Sequence, residues 1–138
     1  MRAYLIDIND TANTGVKTVD DWKKIAPLLN CDCFDVTHIM IGDTRFGVYV
    51  DDNGLCKDPE DITWGAFRIN HETNMAESLL AGSLLIVSGT LDEDGNEYDL
   101  TDDEILLIEQ HIACPTDEEL KLMQGDNVSK IPKNFLIF

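Results

Sequence analysis

"CFDVTHIMIGDTRFGVYVDD", residues 33–52, is the stretch whose reading decides the fold. Its first nine residues are rich in β-branched and apolar side chains and read as a strand. In the second half, Phe46, Val48 and Val50 alternate with Gly47 and Tyr49, the period-two pattern of a half-buried strand. Gly42-Asp43 stands between the two halves, and a short Gly-containing turn between two such runs predicts an antiparallel hairpin. Asn53-Gly54 then marks a second turn.

Toward the N-terminus, "RAYLIDI" (2–8) reads as a strand, Asn9 to Gly15 as a polar loop, and "VKTVD" (16–20) as a short edge strand. Trp22, Ile25, Ala26 and Leu29 recur at i, i+3, i+4 and i+7, an amphipathic helix with one stripe inward. Pro27 sits inside that pattern and predicts a kink or a late start.

Toward the C-terminus, residues 57–82 are mixed, with "WGAFRIN" (64–70) as a strand candidate. "SLLIVSG" (83–89) is apolar through its middle, the mark of a central strand. Thr101-x-x-Glu104 and Thr116-x-x-Glu119 are two capping boxes, with Pro115 separating the helices they open. "NFLIF" (134–138) is predicted to dock as a last strand. The expectation is an α+β fold, one domain over residues 1–138, with a mostly antiparallel sheet and two to four helices packed on it.

The 43% hydrophobic and 27% charged composition of 138 residues supports one core, and no apolar run approaches the roughly 20 residues that span a bilayer. The opening "MRAYLID" lacks a signal peptide's longer apolar segment, so the expected location is the cytoplasm of a host cell. The four cysteines are accordingly expected to be reduced and to act as small buried hydrophobes, with Cys31 and Cys33 on one face of a strand.

A net charge of −17 disfavours direct contact with nucleic acid or an anionic membrane and permits basic protein partners and cations. The charge is uneven. Between Arg68 and Lys121 there is no Lys or Arg, while fourteen Asp and Glu fall there. Their densest run is "LDEDGNEYDLTDDE" (91–104).

"YLID" (4–7), "LLNCDCFDV" (28–36) and "VYVDDNGL" (48–55), followed by "SLLAGSLLIVSGTLDEDG" (78–95), occur in that order. In this the chain resembles a family of small acidic domains of unknown function, encoded largely by bacteriophages and mobile elements. Members share a similar opening strand, a Cys-Asp-x-Phe-Asp segment and an Asp-Asp-x-Gly turn. Their "PLAG" is matched here with a Leu in place of the Pro. The resemblance covers about residues 1–97, leaving the C-terminal helices and final strand, 98–138, outside it. It implies a phage or mobile-element context and a small α+β fold, and it brings no reaction and no catalytic residue.

Specific chemistries fail on spacing. An EF-hand register with Gly95 at position 6 puts Thr90 at position 1 and Thr101 at 12, and with Gly54 at 6 it puts Tyr49 at 1. His111-x-x-Cys114 and Cys31-x-Cys33 do not form a paired zinc motif. There is no phosphate-binding Gly loop or nucleophile elbow, and His38 alternates within a strand as a core or edge residue. Cys33 lies between Asp32 and Asp35, whereas reactive thiolates sit in electropositive surroundings. No catalytic residue, metal or cofactor is expected.

Two functional classes survive. One is a non-enzymatic acidic interaction protein that engages a basic, nucleic-acid-binding site on a host protein, as a DNA mimic or anti-defence factor. Its candidate contacts are Asp92, Glu93, Asp94, Glu97, Asp99, Asp102, Asp103, Asp117 and Glu118. The other is a small-ligand or nucleotide-binding module, or sponge, with a pocket between sheet and helices. Beside both stands the plain reading that the acids solvate a surface and cap helices.

Overall fold

The computed structural model describes residues 1–58, 61–116, 118 and 132–138. In chain order its strands are β1 (Arg2–Ile6), β2 (Gly15–Thr18), β3 (Phe34–Ile41), β4 (Thr44–Asp51), β5 (Trp64–Asn70), β6 (Met75–Ala81), β7 (Leu84–Ser88), β8 (Ile112–Ala113) and β9 (Phe135–Ile137). The described α-helices are α1 (Ile25–Leu29) and α2 (Asp102–Glu109), with 3-10 turns at Thr11–Asn13 and Trp22–Lys24.

The hairpin forms as its sequence dictates. β3 and β4 pair antiparallel from Phe34 opposite Asp51 to Ile41 opposite Thr44, leaving Gly42 and Asp43 as the turn. Gly42 takes a φ of +60°, as the first central residue of a tight primed hairpin turn requires. These strands extend a five-stranded antiparallel sheet of order β2-β1-β7-β4-β3. β7 is its middle strand, and all five of its residues are buried.

That sheet is covered on both faces, which explains the unbroken apolar run of β7. On one face Ala3, Leu5, Leu85 and Val87 meet Val19 and the two buried residues of α1, Ile25 and Leu29. On the other, Tyr4, Ile6, Phe46, Val48, Leu84 and Ile86 pack with Leu100, with Ile105 and Ile108 of α2, and with Ala66 and Leu136. Full burial of each large apolar side chain contributes about 1.5–3 kcal/mol, so the two apolar layers dominate the fold's stability.

Ala66 and Leu136 belong to a second sheet of order β6-β5-β9-β8, in which β5 and β9 run parallel and the other pairs antiparallel. The fold is therefore α+β with predominantly antiparallel pairing, but built on two sheets where the sequence reading had one. β5 and β6 pair with each other, and β9 joins β5 and β8, so the C-terminal "FLI" belongs to a separate ladder and does not extend the first. Within the mixed residues 57–82, the strand candidate "WGAFRIN" (64–70) forms β5, and β6 is a strand the pattern does not reveal.

Of the other expectations, those for Trp22 and the cysteines are corrected, while the late helix start at Pro27 and the edge position of His38 are met. Trp22 does not face inward: it lies in the 3-10 turn before α1 and is 67% exposed. Pro27 falls in the first turn of a helix that starts late, at Ile25, where its missing N–H costs nothing. Cys31 and Cys33 precede β3 and share no strand. Cys33, Cys56 and Cys114 are exposed and only Cys31 is half-buried, because none of the four sits on an inward-facing strand position. His38 is an exposed residue of β3, which is an edge strand. The second capping box depends on Glu119, outside the described residues. Among the described residues no helix is long and apolar enough to cross a membrane.

Candidate functional site

The acidic run is held by short-range bonding. Asp92 Oδ1 accepts from the N–H groups of Asp94 (2.9 Å) and Asn96 (2.9 Å), which closes the turn through Gly95 at φ +82°. The Glu97 carboxylate accepts from the Tyr49 hydroxyl on β4. Asp99 Oδ1 accepts from the Arg2 N–H at 2.7 Å, and Asp102 Oδ1 from Arg2 Nη2 at 2.6 Å. Glu104 completes the capping box, taking the Thr101 N–H at 2.9 Å while the Thr101 hydroxyl accepts from the Glu104 N–H at 3.1 Å.

Four of the nine candidate acids thus have structural partners: Asp92, Glu97, Asp99 and Asp102. Glu93, Asp94, Asp103 and Glu118 are exposed, and Asp117 lies outside the described residues. Among the described residues no three His, Cys, Asp or Glu side chains gather into a metal-binding group. Glu97 and Asp99 do line a groove of about 400 Å³ together with Asp20, Asp21 and the exposed Trp22. Sequence distance hid that neighbourhood.

A larger cleft lies on the α1 side of the molecule, with a volume of about 940 Å³. Four of the chain's ten Lys and Arg line it: Lys17, Lys23, Lys24 and Lys57. Among the described residues they share the lining with three carboxylates, Asp7, Asp21 and Asp51. A site with more cations than anions is notable in a chain of net charge −17.

The loop between β1 and β2 builds one wall. Asp7 is its hub: Oδ1 accepts from the Asn9 N–H (3.0 Å) and Oδ2 from the Asn13 side-chain amide (2.9 Å). Asn13 Oδ1 in turn accepts from Lys17 Nζ at 3.0 Å, so a carboxylate–amide–ammonium relay fixes that lysine. Behind it the fully buried Asn134 donates to the Asp7 carbonyl at 2.6 Å and accepts from the Thr14 hydroxyl at 2.8 Å. Such satisfied networks are rigid, since each broken bond would leave a polar group unpaired. The Ser83 hydroxyl, from the β6–β7 turn, accepts from the Ile8 N–H at 3.2 Å and ties the opposite rim to this wall.

The other two cleft carboxylates also serve the backbone. Asp21 accepts from the Lys23 N–H at 3.0 Å and caps the 3-10 turn, while Asp51 accepts from the Asn53 N–H at 2.9 Å. Lys24 is paired with Asp20 at 2.6 Å, and that bond raises the lysine's pKa and lowers the carboxyl's. The ammonium groups of Lys23 and Lys57, by contrast, have no partner among the described residues. α1 ends at Asn30, which lines the same cleft and whose left-handed φ of +53° closes the helix through bonds back to Ala26 and Pro27. The sequence reading missed this cleft. Its signal was the clustering of Asp, Asn and Thr over 7–15 and the confinement of these lysines to the first 57 residues.

Fold and site together define an α+β protein with an amphiphilic, lysine-bearing cleft beside its larger sheet. Comparison with family models, curated proteins and solved structures finds no match.

Proposed function

We propose that the protein is a non-enzymatic binding module that takes a small anionic ligand, such as a nucleotide or a phosphorylated metabolite, into the cleft beside α1. The observation that carries this reading is a pair of ammonium groups, Lys23 and Lys57, without partners among the described residues and lining a cleft of about 940 Å³ in a strongly acidic chain. Its volume of about 940 Å³ lies within the roughly 300–1,000 Å³ range of small-molecule sites. Lysine offers three donors on a flexible stem and serves as a point charge for phosphate. Asn9, Asn13, Thr18 and Ser83 add amides and hydroxyls suited to a polar body, and Pro27 and Leu28 add an apolar floor. The resemblance to phage and mobile-element domains supports a setting in which such a module sequesters a host metabolite.

Calorimetric titration with nucleoside monophosphates, sugar phosphates and inorganic phosphate tests this. Saturable binding by the wild type, lost in Lys23→Ala/Lys57→Ala with the unfolding midpoint unchanged, is the expected result. No saturable binding of any of these at millimolar concentration would sink the reading.

A second reading, an acidic surface that docks on a basic host protein, is favoured by Trp22. An exposed Trp amid Asp20, Asp21, Glu97 and Asp99 combines an aromatic face with carboxylates, a pairing that suits Lys or Arg side chains. Affinity capture from a host lysate with wild type and Trp22→Ala, at low and high salt, tests it. A basic protein captured equally by both would count against this groove.

A further inference from the structure

The lysine cleft does not end at α1. A second chamber of about 630 Å³ continues past the helix, and the two share Lys23, Pro27, Asn30, Asp51 and Lys57. Lys23 and Lys57, whose ammonium groups have no partner among the described residues, therefore line both chambers, one from the turn before α1 and the other from the segment after β4.

The chambers differ in charge. The first adds Lys17 and Lys24 to the shared pair. Among the described residues the second adds no lysine, but brings Asp32 together with Ala26, Cys31 and Asn53. An anionic group is thus favoured in the first chamber and at the junction, where two lysines outnumber Asp51, and disfavoured in the second beside Asp32. Among the described residues no aromatic ring lines either chamber, so recognition there rests on hydrogen bonds to amides and hydroxyls and not on stacking.

Resting on the anionic-ligand reading above, we infer that the ligand is two-armed: a phosphodiester or pyrophosphate held between Lys23 and Lys57, joining two polar moieties that occupy one chamber each. Dinucleotides and nucleotide sugars share this chemistry. The arm in the second chamber is uncharged, a sugar or a nucleoside.

The test is calorimetric titration of the full chain with NAD, a dinucleoside monophosphate, a nucleotide sugar, and the corresponding nucleoside mono- and diphosphates. At least one two-armed ligand is expected to bind tenfold or more tightly than its single-armed half. Asn53→Tyr, which crowds only the second chamber, should abolish that gain, and Asn53→Ala, which removes an amide without adding bulk, should reduce it by less. Whichever two-armed ligand gains most separates the two sources. Halves that bind as tightly as every two-armed ligand would overturn the two-armed inference while leaving an anion site in place. Failure of all these probes to bind would overturn both.

Discussion

The hydroxyl of Tyr49 on β4 donates to the carboxylate of Glu97 in the acidic turn after β7, joining residues 48 positions apart. This bond docks the most acidic segment against the larger sheet. It also places that segment beside Trp22 and Asp21, on the edge of the groove described above.

Alkaline pH should expose the value of such bonds. Burial first, then the charge of Glu109 and a 3.4 Å hydrogen bond to it, push the Tyr4 phenol up from 10.0 to about 12. Tyr49 is also raised, by burial first and then by its bond to Glu97 and that carboxylate's charge. A phenol that holds its proton more tightly when folded contributes stability that is complete below its unfolded pKa. That contribution is lost as pH climbs from 10.0 through about 12 for Tyr4, and higher for Tyr49. Denaturant midpoints measured across this window should fall with pH, and Tyr49→Phe should fall less steeply than the wild type. Parallel curves would show that Tyr49 is not linked.

Thr101→Ala should destabilise the fold by about 0.5–2 kcal/mol, because it removes the hydroxyl that accepts from the Glu104 N–H. Leu100 and Ile105 flank this cap and enter the same core, so loosening it also loosens their packing. Thr101→Ser, which keeps the oxygen, should retain most of the stability. Equal urea midpoints for the alanine variant and the wild type at constant slope would refute the cap's role.

Gly65→Ala couples the second sheet to the cleft. Gly65 lies where β5 departs from regular register against β6, and a Cβ there would stand 2.0 Å from the Gly82 carbonyl oxygen. Backbone cannot yield cheaply, so the cost should be about 1–3 kcal/mol. Gly82 and Ser83 rim the cleft, so ligand affinity should drop along with the unfolding midpoint. A variant with wild-type stability would show that the bulge relaxes without strain.

Neutralising exposed acids separates solvation from structure. Glu93→Gln, Asp94→Asn and Asp103→Asn remove three charges without touching the backbone bonds of Asp92 and Asp99. If the run is a self-repelling face, low-salt stability should rise by about 0.5 kcal/mol or less, and the stabilisation by added salt should shrink. A salt response identical to the wild type would mean these carboxylates do not sense one another.

Local signals were legible in the chain itself. The 33–52 hairpin, the central β7, the first capping box and the docking C-terminal strand all rest on interactions between near neighbours or on the period of apolar residues, which residue identity sets directly. The late start of α1 followed from the fixed ring of Pro27 in the same way. What tertiary structure alone decided was the company each element keeps. Nothing local tells "FLI" to lie parallel to β5 in a second sheet, because partner choice depends on which strand edge the packed chain brings beside it. Nothing local turns Trp22 outward, since Ile25 and Leu29 suffice to cover that face. The cleft is the clearest case. Lys17, Lys23 and Lys57 come from three separate segments, and electrostatic convergence is a property of distance in space, on which sequence separation is silent.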